Sequence, residues 1–296
     1  MRKMNVPSTF SIVAFDPETE ELGVAVQSKF LAAGAVVPWA EAKVGAVATQ
    51  SAANTTYGPE GLEMLKKGED PSTVVEKLTD ADDQKGIRQV GVVDTEGNSA
   101  AFTGDDCIDY AGHRSEENFT CQGNILVSEE TITSMAQRFR ETSGKALSER
   151  LVEALKAADE AGGDKRGKQS AALLVVEEEG GYGGFNDRKI DLRVDDSPTP
   201  IEKLGELLSL HHLYFSEPSE EDLVELNEDV VKKIQYLMNE LGYYSGPLTG
   251  EYDDSTEESF LEYCRTENFE EKLRDDDKLD FRIVEFMEDQ AAENSC

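Results

Sequence analysis

The run Ser8-Thr9-Phe10-Ser11-Ile12-Val13-Ala14 sets a threonine at the opening of a β-branched, strand-like segment near the start of the chain. A chain beginning at Thr9 would hold two reactive groups on one residue, the hydroxyl as nucleophile and its own α-amine as base. A free α-amine has a pKa of about 8, near enough to neutrality to take the hydroxyl proton directly or through a water. Such a site needs no histidine, and the sequence has three: His113, His211 and His212. Most threonines at strand starts serve β-propensity alone, so chemistry at Thr9 needs neighbours. Asn124, following Gly123, is a candidate oxyanion donor or a plain turn residue. Gln50, Ser51 and Asn54 cluster after a strand as candidate pocket lining. His113 follows a hairpin and either lines a pocket or serves as a loop histidine.

Other chemistries are poorly supplied. There is no G-x-S-x-G elbow. Cys107, Cys121, Cys264 and Cys296 form neither a C-x-x-C pair nor a zinc spacing, so no metal, no cofactor and no disulfide framework is expected. The run Gly180-Gly181-Tyr182-Gly183-Gly184 lacks the Lys-Ser/Thr of a phosphate loop and reads as a bent hairpin.

The elements that must position these residues alternate in blocks. Residues 9–14 and 23–28 read as a hairpin across the turn Asp16-Pro17-Glu18-Thr19-Glu20. A buried strand over 44–49 precedes helices over 61–67 and 72–78, the second started by Asp70-Pro71-Ser72. A second hairpin joins 88–94 to 99–103. Helices over 129–141 and 145–161, strands over 171–176 and 189–194, and an amphipathic helix over 200–214 follow. In that last helix Leu204, Leu207, Leu208 and Leu210 are expected to face the core. Hairpins separated by helix pairs predict an α+β fold, antiparallel sheets covered by helices in a four-layer α-β-β-α sandwich. Strict β-α-β alternation, which a doubly wound parallel sheet needs, is missing.

Composition shifts near residue 216. The last 81 residues carry net charge −18 and the first 215 carry −15. The polar stretch 215–222, with Pro218, reads as a linker between a domain over 1–215 and a three-helix bundle over 222–296. Helices are expected over 230–241, 255–265 and 279–287, with Gly242 ending the first. The whole chain has 62 acidic and 29 basic residues, net −33. Phosphate binders bring compensating Lys and Arg, so nucleic acid and anionic membranes are not expected partners. No apolar run approaches the roughly 18–20 residues of a membrane span. The N-terminus lacks the apolar stretch of a secretory signal, which predicts a cytoplasmic protein with the acidic surface of a salt-loving organism.

Several segments carry resemblances. Thr9 opening one strand and Gly23-Val24-Ala25-Val26-Gln27-Ser28-Lys29 forming the next is similar to the first hairpin of the N-terminal nucleophile hydrolases, which include the proteasome β subunits. The resemblance implies that Lys29 places a positive charge near Thr9. Gly162-Gly163-Asp164-Lys165-Arg166-Gly167-Lys168-Gln169-Ser170 is similar to the acidic-residue-then-serine loop that supports the nucleophile there, which implies roles for Asp164 and Ser170. The motifs at 9–14, 33–40, 47–50, 57–59, 122–126 and 181–187 resemble domain-of-unknown-function family 1028, grouped with those hydrolases. That resemblance implies a fold and a hydrolytic reaction class and no substrate; the leading expectation is a hydrolase acting on the carbon–nitrogen bond of a small, possibly cyclic, amide. Family members often begin Met-Thr-Phe-Ser, so freeing Thr9 here implies cleavage between Ser8 and Thr9. Val231-Lys232-Lys233-Ile234-Gln235-Tyr236-Leu237 with Leu241-Gly242-Tyr243-Tyr244-Ser245-Gly246 resembles a peptidoglycan-binding-domain-like module. Packing or homo-oligomerisation is an equal expectation for it. A non-catalytic binding or assembly protein on the same fold is the alternative reading.

Overall fold

In a computed structural model of the chain, residues 9–274 and 276–294 are described. The chain divides into two compact units between Leu208 and Ser209. Both mix helices with antiparallel strands, as an α+β fold does.

The first unit holds ten strands in two sheets. The six-stranded sheet has the order β10-β9-β2-β1-β8-β7, built from β1 (Thr9–Phe15), β2 (Leu22–Ser28), β7 (Gly112–Glu116), β8 (Phe119–Asn124), β9 (Ser170–Val176) and β10 (Arg188–Val194). The four-stranded sheet runs β3-β4-β5-β6: β3 (Pro38–Glu41), β4 (Gly45–Ser51), β5 (Arg88–Asp94) and β6 (Ser99–Thr103). All ladders are antiparallel, and the predicted hairpins β1-β2 and β5-β6 form. Strands β3, β7 and β8 were not predicted. β7 (Gly-His-Arg-Ser-Glu) has no apolar side chain, and in β8 (Phe-Thr-Cys-Gln-Gly-Asn) every second residue is a buried polar one.

Helix α1 (Tyr57–Lys66) starts four residues before its predicted beginning. Helix α2 (Pro71–Asp80) is capped as its sequence predicts: the Asp70 carboxylate accepts from the Ser72 and Thr73 amides, and Pro71 fills the first turn. Helix α1 packs on β3 and β4 and helix α2 on β5 and β6, and together they bury Val47, Val74, Leu78, Val90 and Val92. Helices α3 (Glu130–Glu141) and α4 (Leu147–Glu160) pack on the six-stranded sheet. Their core joins Phe10, Ile12, Ala25 and Leu173 to Met135, Phe139, Leu151 and Leu155. Each such large side chain, fully buried, is worth about 1.5–3 kcal/mol. Between the two sheets, Val13, Val24 and Val26 meet Ala46, Ala48 and Val93.

Helix α5 (Pro200–Phe215) spans the division between the units. Ile201, Leu204 and Leu208 are buried at a spacing of three to four residues, and Leu207 packs beside them. Leu210, expected in the core, is exposed, because its position falls off that stripe.

The second unit has helices α6 (Glu228–Glu240), α7 (Asp254–Thr266) and α8 (Phe281–Asn294), close to the predicted three. Two short strands, β11 (Leu223–Glu225) and β12 (Lys278–Asp280), were not foreseen. Gly242 follows α6 with φ +87°, the left-handed conformation that ends helices. Tyr263, Phe269, Phe260 and Met287 lead a core of its own. Among the described residues no helix is long and apolar enough to cross a membrane.

Candidate active site

Strand alternation decides which side chains gather at the Thr9 end. On β1, Phe10, Ile12 and Ala14 turn toward the helices, so Thr9, Ser11 and Val13 turn toward the other sheet. Thr9 pairs with Asn124 on one side and Ser28 on the other, and Ser28 pairs with Ser170. The register thus lines up Asn124, Thr9, Ser28 and Ser170 as one cross-strand row at the end of the sheet. Thr9 is 1% exposed and the other three are fully buried. The Thr9 hydroxyl lies 3.0 Å from the Ser28 hydroxyl.

Behind this row is a set of buried amides from both sheets. Gln89 Nε2 donates to the Gly112 and Gly123 carbonyls at 3.0 and 2.8 Å and to Thr103 Oγ1 at 2.8 Å. Gln89 Oε1 accepts from Gln50 Nε2 at 2.7 Å and Asn124 Nδ2 at 3.1 Å. Ser11 Oγ donates to Gln50 Oε1 and accepts from Gln122 Nε2, both at 2.7 Å. Asn124 Nδ2 also faces the Thr9 carbonyl at 3.5 Å, a long contact. Gly91 makes room: a Cβ there would stand 2.2 Å from Gln122 Oε1. Two of the three strands that carry these amides, β4 and β8, end abruptly. Ser51 after Gln50 has φ +68°, and Ile125 after Asn124 has φ +53°, a strained value for a β-branched residue.

The loop residues implied by resemblance converge on the neighbouring strand end. Asp164 accepts from the backbone amides of Lys29 (2.9 Å) and Arg166 (2.8 Å). Ser170 Oγ donates to the Phe30 carbonyl at 2.6 Å and accepts from the Ala33 amide at 3.1 Å. The pair therefore holds the segment that leaves β2. Lys29 follows Ser28 directly, and its ammonium donates to the Lys168 carbonyl at 3.1 Å on the exposed surface. Phe30, Leu31, Ile108 and Val127 form exposed apolar edges at this same end.

The remaining predicted residues sit apart from Thr9. Asn54 donates to Asp82, which also accepts from Tyr57, the Gln84 amide and Arg88 Nε at 2.9 Å. Burial alone would raise the Asp82 pKa, but these hydrogen bonds, Arg88 foremost, hold it down at about 2. Ser51 Oγ lies 3.6 Å from the Cys107 thiol, whose pKa burial pushes up. His113 Nδ1 lies 2.9 Å from Thr103 Oγ1, so it touches the far end of the Gln89 network. Desolvation lowers its pKa, although part of its surface is open. Residues 1–8, and with them the Ser8–Thr9 junction as a cleavage site, lie outside the described residues.

Sequence reading missed Ser11, Ser28, Gln89 and Gln122. The available signal was period two: Thr120, Gln122 and Asn124 alternate with Phe119, Cys121 and Gly123, a strand with one polar buried face.

Residues 9–204 match the model of a family of unknown function, DUF1028, and residues 214–287 match one described as "putative peptidoglycan binding domain". Among solved structures, the crystal structure of protein SPO2555 from Silicibacter pomeroyi, of the same DUF1028 family, is similar at 32% identity with a TM-score of 0.64. The similarity covers 71% of this chain and 91% of that one. No curated protein matches. With the family model spanning the whole of both sheets, the chain belongs to the DUF1028 family.

Proposed function

We propose that the first unit is an amide-cleaving hydrolase of the N-terminal nucleophile class, with Thr9 as nucleophile once residues 1–8 are removed. The observation that carries this reading is the placement of the Thr9 hydroxyl: first residue of a central strand, 3.0 Å from Ser28 Oγ, in a buried row with Asn124 and Ser170. The packing of α1 and α2 on one sheet and of α3 and α4 on the other supports the four-layer α-β-β-α order of that class.

Thr9 Oγ adds to the amide carbonyl carbon while its proton passes to the α-amine. The amine then protonates the leaving nitrogen, the carbon–nitrogen bond breaks, and an ester to Thr9 remains for water to hydrolyse. Asn124 is the side-chain donor for the oxyanion. Both of its N–H groups already face oxygens, and the 3.5 Å contact to the Thr9 carbonyl is the one it would exchange. Lys29, one residue beyond Ser28, supplies positive charge at this end. The apolar edges at Phe30, Leu31, Ile108 and Val127 suit a small, partly apolar amide. Thr9→Ala abolishes turnover of any amide the protein cleaves, whereas full turnover by that variant would overturn the assignment.

The match over residues 214–287 supports a second reading, a binding or assembly role for the C-terminal unit. Comparing the solution mass of the full chain with that of a chain ending at residue 208 tests it, and a monomer mass for both would count against it. The net charge of −33 and the free buried thiols Cys107, Cys121 and Cys264 support a salt-adapted surface in a reducing, cytoplasmic compartment. Melting temperature should then rise steadily with KCl, and a flat salt response would argue otherwise.

A further inference from the structure

Hydrogen-bond direction in the amide network follows from atoms that can only accept. Gln89 Nε2 lies within 3.0 Å of two backbone carbonyls, Gly112 and Gly123. The reversed amide would set its oxygen against both carbonyls, so the NH2 must face them. Its oxygen is then turned to Gln50 and Asn124, and both must offer it their NH2 groups. Gln50 is held the same way round by the Gln122 carbonyl, and Gln122 by the Ser11 carbonyl. Every amide orientation therefore traces back to main-chain carbonyls, and all agree.

We infer that Gln89, on the opposite sheet from Thr9, is the positioning residue of the site: it sets which way the Asn124 carboxamide faces, and so aims its NH2 at the Thr9 end. This rests on the Thr9 reading for its catalytic meaning, while the orientation itself can be measured without it. Gln89 touches no reacting atom. It acts through Asn124, across the sheet interface, and Thr103 and His113 continue the chain from its other side.

The test uses Gln89→Glu and Gln89→Met in the full-length protein, with a β-lactone as probe. The Thr9 hydroxyl adds to the lactone carbonyl, the ring C–O bond opens, and the hydroxyl proton ends on the released alkoxide. The adduct is heavier by one whole lactone and maps to Thr9 by peptide mass. Wild type is expected to label, and both folded variants to label at least tenfold more slowly. In Gln89→Glu the carboxylate cannot donate to the carbonyls. Labelling relative to wild type should therefore recover as pH falls and the carboxyl regains a proton, a profile that simple loosening would not produce. Labelling within twofold of wild type in both folded variants overturns the inference.

If wild type does not label, the Thr9 reading fails and the orientation is decided by NMR on wild type alone. The Asn124 and Gln50 NH2 groups should then exchange slowly and show a mutual NOE, because both converge on one oxygen. Fast exchange without that NOE overturns the inference, whether or not the variants fold.

Discussion

The two faces of the six-stranded sheet meet the same problem, buried polar groups, and treat it in opposite ways. Toward the four-stranded sheet, Ser11, Gln50, Gln89, Gln122 and Asn124 are buried together and bonded to one another and to backbone carbonyls. Toward the helices, Gln27 is fully buried between Phe10 and Ala171, and neither amide atom has a hydrogen-bond partner among the described residues. A satisfied buried network holds its members in one arrangement, whereas an orphan amide simply costs its desolvation. The organised face is the one that carries Thr9. The contrast locates the part of the core shaped for orientation and the part shaped for burial.

Replacing Gln122 by Leu should have the largest effect. It removes the bonds that Gln122 makes to Ser11, Thr120 and the Ser11 carbonyl, leaves Ser11 only its bond to Gln50, and should cost about 3 kcal/mol in urea unfolding. A loss below about 1 kcal/mol would mean that the network contributes little.

The Asp82 cluster gives a charged version of the same design and a somewhat smaller effect. Its carboxyl is depressed from the ordinary 3.8 to about 2, so the folded state binds its proton less readily than the unfolded chain. The contribution, about 2 kcal/mol, is complete above about pH 4 and is lost as pH falls toward 2. Asp82→Asn should flatten that part of the stability–pH curve, and an unchanged curve would remove the ion pair from the account.

On the helix face the sign reverses. Gln27→Met keeps the length and removes the orphan amide, so it should be neutral or stabilising by up to about 1 kcal/mol. A clear destabilisation would show that Gln27 has a partner, such as an ordered water, and would erase the contrast.

The outer parts of the fold were legible in the sequence because local rules decide them. Asp70-Pro71-Ser72 caps α2, Gly242 ends α6, and short apolar, β-branched-rich runs mark β1, β2, β5 and β9. Strand β8 was not, because its pairing with β1 and its contact with Gln89 are non-local, and β7 pairs with β8 alone. The candidate site was legible in the same proportion. Thr9, Asn124 and Gln50 do gather, Asp164 and Ser170 hold the adjoining segment, and Asn54 belongs to Asp82. Gln89 was invisible because its meaning lies in two carbonyls from another sheet.

If the buried row around Thr9 serves a nucleophile, the mature chain must carry a free α-amine on that residue. Intact mass and N-terminal sequencing of protein purified in high salt test it most directly. The expected result is a chain that begins at Thr9, lighter by residues 1–8, in wild type and not in Thr9→Ala. A functional preparation that still begins with Asn5-Val6-Pro7-Ser8 ahead of Thr9 would contradict it.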